Sequence, residues 1–257
     1  MELFSEDLYK QYVLKRFYKM KIALIGYGKM GQEIEKIAID RGHEIVSKID
    51  VSSKDSFTDQ GFKSADVAIE FTRPEAAFDN YIKCFEANIP VVSGTTGWLD
   101  KLPEIEERCQ NGKQTFFYAS NFSLGVNIFF ELNKQLARIM NKMDEYNVSM
   151  EEVHHTQKLD APSGTAITLA EGLIDNIDKK SDWKLDAEED ASDIAIKAIR
   201  EGQVPGIHTI KYESSVDEII IHHSAKSRKG FALGAVLAAE FAAKNSGFLS
   251  MNDLLNF

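Results

Sequence analysis

The chain has 257 residues, 44% of them hydrophobic, which is enough for a sizeable buried core and suits two modest domains. A formal net charge of -10 leaves no long basic track to neutralise a nucleic-acid backbone, so any bound anion must be held by a local arrangement of charge. The two cysteines, Cys84 and Cys109, form neither a disulfide scaffold nor a metal-type spacing, and they fit a reducing cytoplasm.

No apolar run approaches the length of about eighteen residues that a membrane span needs, because residues 231–243 are too few and are interrupted by Glu240. Residues 1–19 lack the continuous apolar stretch of a secretory signal. Met20-Lys21-Ile22-Ala23 reads like a protein start, so residues 1–19 stand apart from the fold as an N-terminal extension or a misassigned start.

Residues 21–25 form a β-rich run that ends at Gly26. A helical pattern follows, with Met30, Ile34, Ile37 and Ala38 at three- and four-residue spacing and Gly42 as its stop. A second strand over 44–49 ends at Asp50, completing a β-α-β unit of the kind found in parallel sheets. The same sense continues with a strand over 66–71, a helix over 74–85 opened by Pro74, and strands over 91–93 and 115–118.

After Asn121 the texture changes. A long helix over 124–140 leads to a strand over 147–153, a polar loop and a helix from about Gly164. Residues 179–191 are charge-rich and read as a surface insert. Alternating stretches over 207–213 and 218–224, joined by Ser214-Ser215-Val216-Asp217, predict an antiparallel hairpin. The alanine-rich stretch 232–244 predicts a helix that is capped by Gly247 and packs on the first domain.

Gly26-Tyr27-Gly28-Lys29-Met30-Gly31 fits G-x-G-x-x-G between a strand and a helix, where missing side chains let backbone amides approach a pyrophosphate. Alone the pattern is weak. Asp50, closing the next strand, gives it weight, because a carboxylate there accepts hydrogen bonds from the adenosine ribose. That carboxylate also repels a 2′-phosphate and no arginine follows it, so NADH is expected to be accepted, with Lys54 available to neutralise a phosphate. Gly94-Thr95-Thr96-Gly97 and Ser120-Asn121-Phe122-Ser123 follow strands at the sheet edge where open α/β proteins bind ligands.

The stretch from His154 to Thr165, His-His-Thr-Gln-Lys-Leu-Asp-Ala-Pro-Ser-Gly-Thr, combines two imidazoles, the Lys158 ammonium and a helix opening at Ser163, Gly164 and Thr165. Histidine carries protons near neutrality, lysine offers a compact charge to a carboxylate, and free N–H groups at a helix start attract anions. Adjacent histidines on a strand end point to opposite faces, so at most one is a simple core residue. The i, i+1 spacing suits no shared zinc ion and no third ligand is evident, so no metal is expected.

These segments, with Phe71-Thr72-Arg73-Pro74-Glu75 and the run from Asn121 to Asn127, resemble the dihydrodipicolinate reductase family along nearly the whole chain after Met20. The resemblance implies an α/β fold class: a Rossmann-like parallel-sheet dinucleotide-binding domain (residues 20–124 and 232–257) plus an α+β substrate-binding and tetramerisation domain (125–231) with a mixed or antiparallel sheet. It implies His154 as proton donor or acceptor, Lys158 as a second proton-transfer residue, and His155, Ser163, Gly164 and Thr165 at the substrate. Gly94, Thr95, Thr96, Ser120, Asn121 and Phe122 would face the nicotinamide half of NADH or NADPH. Asp50 would face the adenosine. Arg228, Phe231, Gly234 and His223 also fit the family's pattern.

The implied enzyme is a homotetramer whose hairpin region builds the intersubunit sheet. Hydride from the cofactor reaches C4 of a small cyclic dicarboxylate after its 4-hydroxyl leaves as water. The fingerprint departs by one residue from the family's common G-x-x-G-x-x-G form, which bears on cofactor preference. Two rivals make different demands. Another two-domain amino-acid dehydrogenase, such as an aspartate or homoserine dehydrogenase, shares the glycine turn but lacks the 154–165 stretch. A non-catalytic NADH sensor binds cofactor without turnover.

Overall fold

The structure is a computed structural model that describes residues 19–186 and 191–257. The described chain divides into two compact units, one made of the residues up to Ser120 together with Ala232–Asn256, the other of Asn121–Phe231.

Strands are numbered in chain order. The first unit holds β1 (Lys21–Ile25), β2 (Glu44–Ile49), β3 (Val67–Glu70), β4 (Val91–Ser93), β5 (Thr115–Tyr118) and β11 (Gly247–Leu249), hydrogen-bonded in the order β11-β5-β4-β3-β1-β2. Every pairing is parallel. The central strands β1, β3 and β4 are almost entirely buried because the crossover helices leave neither face to water, whereas the edge strand β2 is only half-buried. Strand order reverses at β1, which lies between β2 and β3, so this Rossmann-like sheet has a switch point at the carboxyl ends of β1 and β3.

Helix α1 (Lys29–Asp40) turns Gly31, Ile34 and Ala38 inward. It stops where Gly42 adopts φ +88° and donates its N–H to the Ile39 carbonyl at 2.8 Å. Between β2 and β3 lies a single turn, α2 (Gln60–Lys63), and α3 (Pro74–Glu86) opens on its proline as the sequence predicts. Another helix, α4 (Leu102–Gly112), joins β4 to β5. The core of this unit centres on edge-on aromatic contacts among Tyr81, Trp98 and Phe116, with ring centroids 4.8–5.5 Å apart.

The second unit holds a mixed sheet of β6 (Asn147–His154), β7 (Asp182–Leu185), β8 (Asp193–Arg200), β9 (Ile207–Glu213) and β10 (Glu218–Ser224), in the order β10-β9-β6-β8-β7. β9 runs antiparallel to both β6 and β10, whereas β6 and β7 run parallel to β8. Helices α5 (Leu124–Met140) and α6 (Gly164–Ile174) supply Phe129, Ala137, Leu169 and Leu173 to a core shared with Met150, Ile196, Ile210 and Tyr212. The β9–β10 hairpin has the predicted limits, and its register sets Glu213 opposite Glu218.

Three expectations need correction. Residues 193–200 carry no predicted element, yet they form β8, with Ile194 and Ile196 buried. The stretch 179–191 is not merely a surface insert: residues 182–185 form the edge strand β7, whose outward charges mask its pairing, and 187–190 lie outside the described residues. Gly247 does not cap the alanine-rich helix. That helix, α7 (Lys229–Ala242), ends where the Asn245 side chain reaches back to the Phe241 carbonyl at 2.8 Å, and Gly247 opens β11.

Within the first unit α7 packs as predicted. Glu240 accepts hydrogen bonds from Arg41 at 2.8 and 2.9 Å and pairs with His43 Nε2 at 2.8 Å, tying the helix to the turn after α1.

Candidate active site

The glycine turn sits at the switch point of the parallel sheet. Gly26 adopts φ +91°, and a Cβ there would lie 2.0 Å from the Phe71 carbonyl oxygen; a Cβ on Gly31 would lie 2.3 Å from the Gly26 oxygen. Those two glycines are demanded by close packing of turn, strand and helix. Gly28 is different. It precedes α1 with no side-chain cap, and a Cβ on it would meet nothing within 4 Å. The space beside it is open, and the first N–H groups of α1 with the positive end of the helix dipole point there, an arrangement that suits a pyrophosphate.

Two cavities flank this helix start. One of about 340 Å³ is lined by Gly28, Lys29, Met30, Gly31, Gly94, Thr95 and Thr96, together with Phe71 and Thr72. The other, about 390 Å³, is lined by Gly26, Tyr27, Asp50, Val51, Arg73 and Asn80, among others. Asp50 is exposed and accepts the Val51 N–H at 2.8 Å. No arginine follows Asp50 in sequence, but Arg73, from the connection between β3 and α3, lines the same cavity, whereas Lys54 lines neither.

A buried carboxylate organises the two loops. Glu70, fully buried at the end of β3, accepts from Thr72 Oγ1 and from Ser93 Oγ at 2.8 Å, and the Thr72 N–H donates to Thr95 Oγ1 at 2.8 Å. A Cβ on Gly94 would lie 2.2 Å from the Phe71 ring. The glycine is therefore a packing necessity as well as an opening.

Tyr27 donates its hydroxyl to Glu35, which also pairs with Lys48 at 2.5 Å. Ser120, Asn121 and Phe122 line neither of these cavities. Asn121 caps the Ser123 N–H at 2.9 Å and reaches Thr165 Oγ1 at 3.4 Å, and the Phe122 side chain is 2% exposed.

The second unit carries the titratable cluster. β6 ends at His154, which is buried; His155 follows half-buried, with its Nδ1 enclosed and without a hydrogen-bond partner among the described residues. The Lys158 N–H closes a turn on the His155 carbonyl at 3.0 Å, and its ammonium pairs with Asp160 at 2.8 Å. Ser163 caps α6, its Oγ accepting the Ala166 N–H at 3.2 Å.

The Ser163 N–H is not free for an anion as the sequence suggests, because it donates to Glu152 at 3.1 and 3.2 Å. That leaves the N–H groups of Gly164 and Thr165 at the helix opening, and a Cβ on Gly164 would meet nothing within 4 Å.

Sequence reading misses four residues here: Glu152, Arg200, Gly206 and His208. Sheet register assembles them, with Glu152 opposite His208 across β9 and His154 opposite Arg200 across β8. Glu152 is fully buried and accepts from Arg200 Nη2 at 3.0 Å. His208 Nε2 lies 3.2 Å from Ser163 Oγ, and His154 and His208 meet edge-on with ring centroids 5.1 Å apart. One signal was available: the alternation in Ile207–Glu213 puts His208 on the same face as Ile210 and Tyr212.

Burial pushes the Glu152 carboxyl up, but the facing His208 imidazole and hydrogen bonds from Ser163 and Arg200 outweigh it and hold the group at about 2. For His154 burial dominates and lowers the imidazole to about 4; the Glu152 charge pulls it up, while His208, Lys158 and Arg200 oppose that pull. Ligand atoms of Glu152, His154 and His208 lie within 4.8 Å of one another, a third candidate that the sequence did not disclose. Arg200 and the Ser163 N–H already neutralise that carboxylate, so the cluster reads as an ion-paired network.

A Rossmann-like sheet opening onto a glycine turn, in one chain with a buried imidazole and a nearby half-buried ammonium, defines a nicotinamide-dinucleotide-dependent oxidoreductase. The family model for "Dihydrodipicolinate reductase, N-terminus" matches residues 20–122, and that for "Dihydrodipicolinate reductase, C-terminus" matches residues 125–255. The chain belongs to the dihydrodipicolinate reductase family, whose members use NADH or NADPH.

It is 53% identical over 237 residues to the 4-hydroxy-tetrahydrodipicolinate reductase of Christiangramia forsetii, covering 92% of this chain and 98% of the relative. The enzyme of the same name from Staphylococcus epidermidis is 38% identical over 246 residues, with 91% and 100% covered. A dipicolinate-bound dihydrodipicolinate reductase from Paenisporosarcina sp. TG-14 shares the fold, with a TM-score of 0.75 at 21% identity over 91% of this chain and 98% of that one.

Proposed function

We propose that this enzyme transfers hydride from NADH or NADPH to 4-hydroxy-tetrahydrodipicolinate, releasing water and tetrahydrodipicolinate in diaminopimelate and lysine synthesis. Relatives of that name matching along nearly their whole length support the reaction. The observation that carries it to particular residues is the grouping of His154, Lys158 and the α6 opening on one short stretch of the second unit.

The first unit is the dinucleotide-binding domain and the second the substrate and assembly domain. The pyrophosphate lies at Gly28 and the α1 N–H groups, with Asp50 at the adenosine ribose. Gly94, Thr95 and Thr96 flank the nicotinamide half. Arg73 gives the adenosine side a positive charge alongside Asp50, which suits acceptance of both NADH and NADPH. The bound cofactor supplies the hydride.

On the substrate side, Lys158 and the free N–H groups of Gly164 and Thr165 hold carboxylates, with His155 beside them. Lys158 must exchange Asp160 for substrate, an exchange favoured because Asp160 is largely solvent-facing and loses little on release. His154 moves the proton. In the free enzyme its imidazole is neutral at pH 7, since burial holds it near 4. A bound dianion raises its proton affinity, so a proton taken up on binding is available to the reduced ring.

The enzyme works in the cytoplasm as a homotetramer joined through the hairpin region, in keeping with the exposed Ile219 and Ile220 on the edge strand β10. The test is oxidation of NADH and NADPH in the presence of the condensation product of pyruvate and aspartate semialdehyde. Cofactor oxidation that depends on this product is expected. Binding of NADH without turnover would overturn the proposal.

A further inference from the structure

We propose that Glu152 is a positioning residue that fixes the proton of His154 on Nδ1 and turns Nε2 toward the chemistry, with Arg200 keeping the carboxylate charged. The inference rests on His154 being the proton-transfer residue.

Glu152 and His154 are two apart on β6, so their side chains leave the same face of the sheet. Burying an ionised carboxylate with no partner is strongly unfavourable, because the charge loses its hydration with nothing in return. Here the cost is offset by Arg200 at 3.0 Å and the Ser163 N–H. Arg200 is itself anchored by donating to the Asp160 carbonyl at 2.7 Å.

The charge so maintained faces two rings, with Glu152 Oε2 3.4 Å from His154 Nδ1 and 3.7 Å from His208 Nε2. Nδ1 of His154 is enclosed and makes no hydrogen bond within the described residues. Glu152 is the acceptor it faces, and in a neutral imidazole the nitrogen facing a carboxylate keeps the proton.

The opposite, Nε2 edge of the ring lies beside Gly206, whose missing side chain leaves it uncrowded. A Cβ on Gly206 would lie 3.1 Å from Nε2 and 3.4 Å from Cδ2 of His154. The carboxylate would thus set both the tautomer and the charge the ring can accept. Glu152 draws a proton toward the ring, whereas His208, Lys158 and Arg200 resist it, and the balance leaves a neutral imidazole able to be protonated when a dianion arrives.

The test combines ring-nitrogen NMR of the full-length enzyme with kinetics of Glu152→Gln, His154→Gln and the double variant. In the unmodified enzyme His154 should show the Nδ1–H tautomer. Finding Nε2–H overturns the proposal, and this measurement stands even if Glu152→Gln fails to fold. Glu152→Gln should lower kcat about a hundredfold, as misplacement of a reacting group does, shift the pH profile of kcat and leave NADH affinity unchanged.

The double variant should be no worse than His154→Gln alone. Losses that multiply, or an unchanged kcat in Glu152→Gln, overturn the positioning role. Full activity in His154→Gln removes the underlying assignment of His154 instead, and the tautomer measurement keeps the two failures apart.

Discussion

Gly206 passes so close to His154 that a side chain of any size would press on its ring: a Cβ would stand 3.1 Å from Nε2. Gly206 also has φ +155°, a value side chains rarely adopt. Gly206→Ala should therefore displace the imidazole or crowd the substrate beside it. A fall in kcat of about a hundredfold is expected, with NADH affinity unaltered. Steady-state kinetics with a cofactor-binding titration measure both, and normal turnover would show that the space beside Nε2 is not used.

His154→Gln and Lys158→Ala should separate chemistry from capture. The first removes the proposed proton carrier and should lower kcat by about a hundred- to ten-thousandfold. The second removes the charge proposed to meet the dicarboxylate and should act mainly on substrate KM. If Lys158→Ala changed only the KM for NADH, its place at the substrate would be wrong.

In the proposed site Asp50 favours NADH, because it accepts hydrogen bonds from the ribose hydroxyls and repels a 2′-phosphate. Asp50→Ser should weaken NADH about tenfold, the scale of one lost charge-assisted hydrogen bond, and weaken NADPH less. The ratio of kcat/KM for the two cofactors reads this directly. A ratio that stays constant would place Asp50 outside the adenosine site.

Acid should destabilise the fold through the buried imidazole. Burial lowers His154 from 6.5 to about 4, so between those values the unfolded chain binds a proton that the folded one refuses. Stability is then full above pH 6.5 and falls as the pH drops toward 4. Burial also lowers His223, which adds to the loss on the acid side of 6.5. Glu152, held at about 2 against 4.5, extends the loss from pH 4.5 downward. Urea midpoints measured across pH 6.5 to 4 should decline less steeply in His154→Gln, and an unchanged slope would contradict the depressed imidazole.

Much was legible in the chain itself. Strand, glycine turn, helix and Asp50 declare the first unit because parallel strands buried on both faces must be short and apolar, and because Gly26 and Gly31 stand where a Cβ would strike backbone. The hairpin was equally plain, since period-two alternation on either side of a polar turn has few other solutions. Local sequence also marked His154, Lys158 and the α6 opening, all within one stretch of twelve residues.

What local order could not provide was the company these groups keep. Residues 193–200 do alternate, with Ile194 and Ile196 on one face, but nothing in that stretch says which strand it joins, and its pairing with β6 sets Arg200 opposite His154. β9 likewise carries His208 to Glu152 and Gly206 to the His154 ring from more than fifty positions along the chain. Periodicity along the chain fixes which way a side chain points. Whether a buried carboxylate meets a guanidinium or an imidazole depends on strand register, and register is settled by long-range pairing and core packing that no short stretch contains.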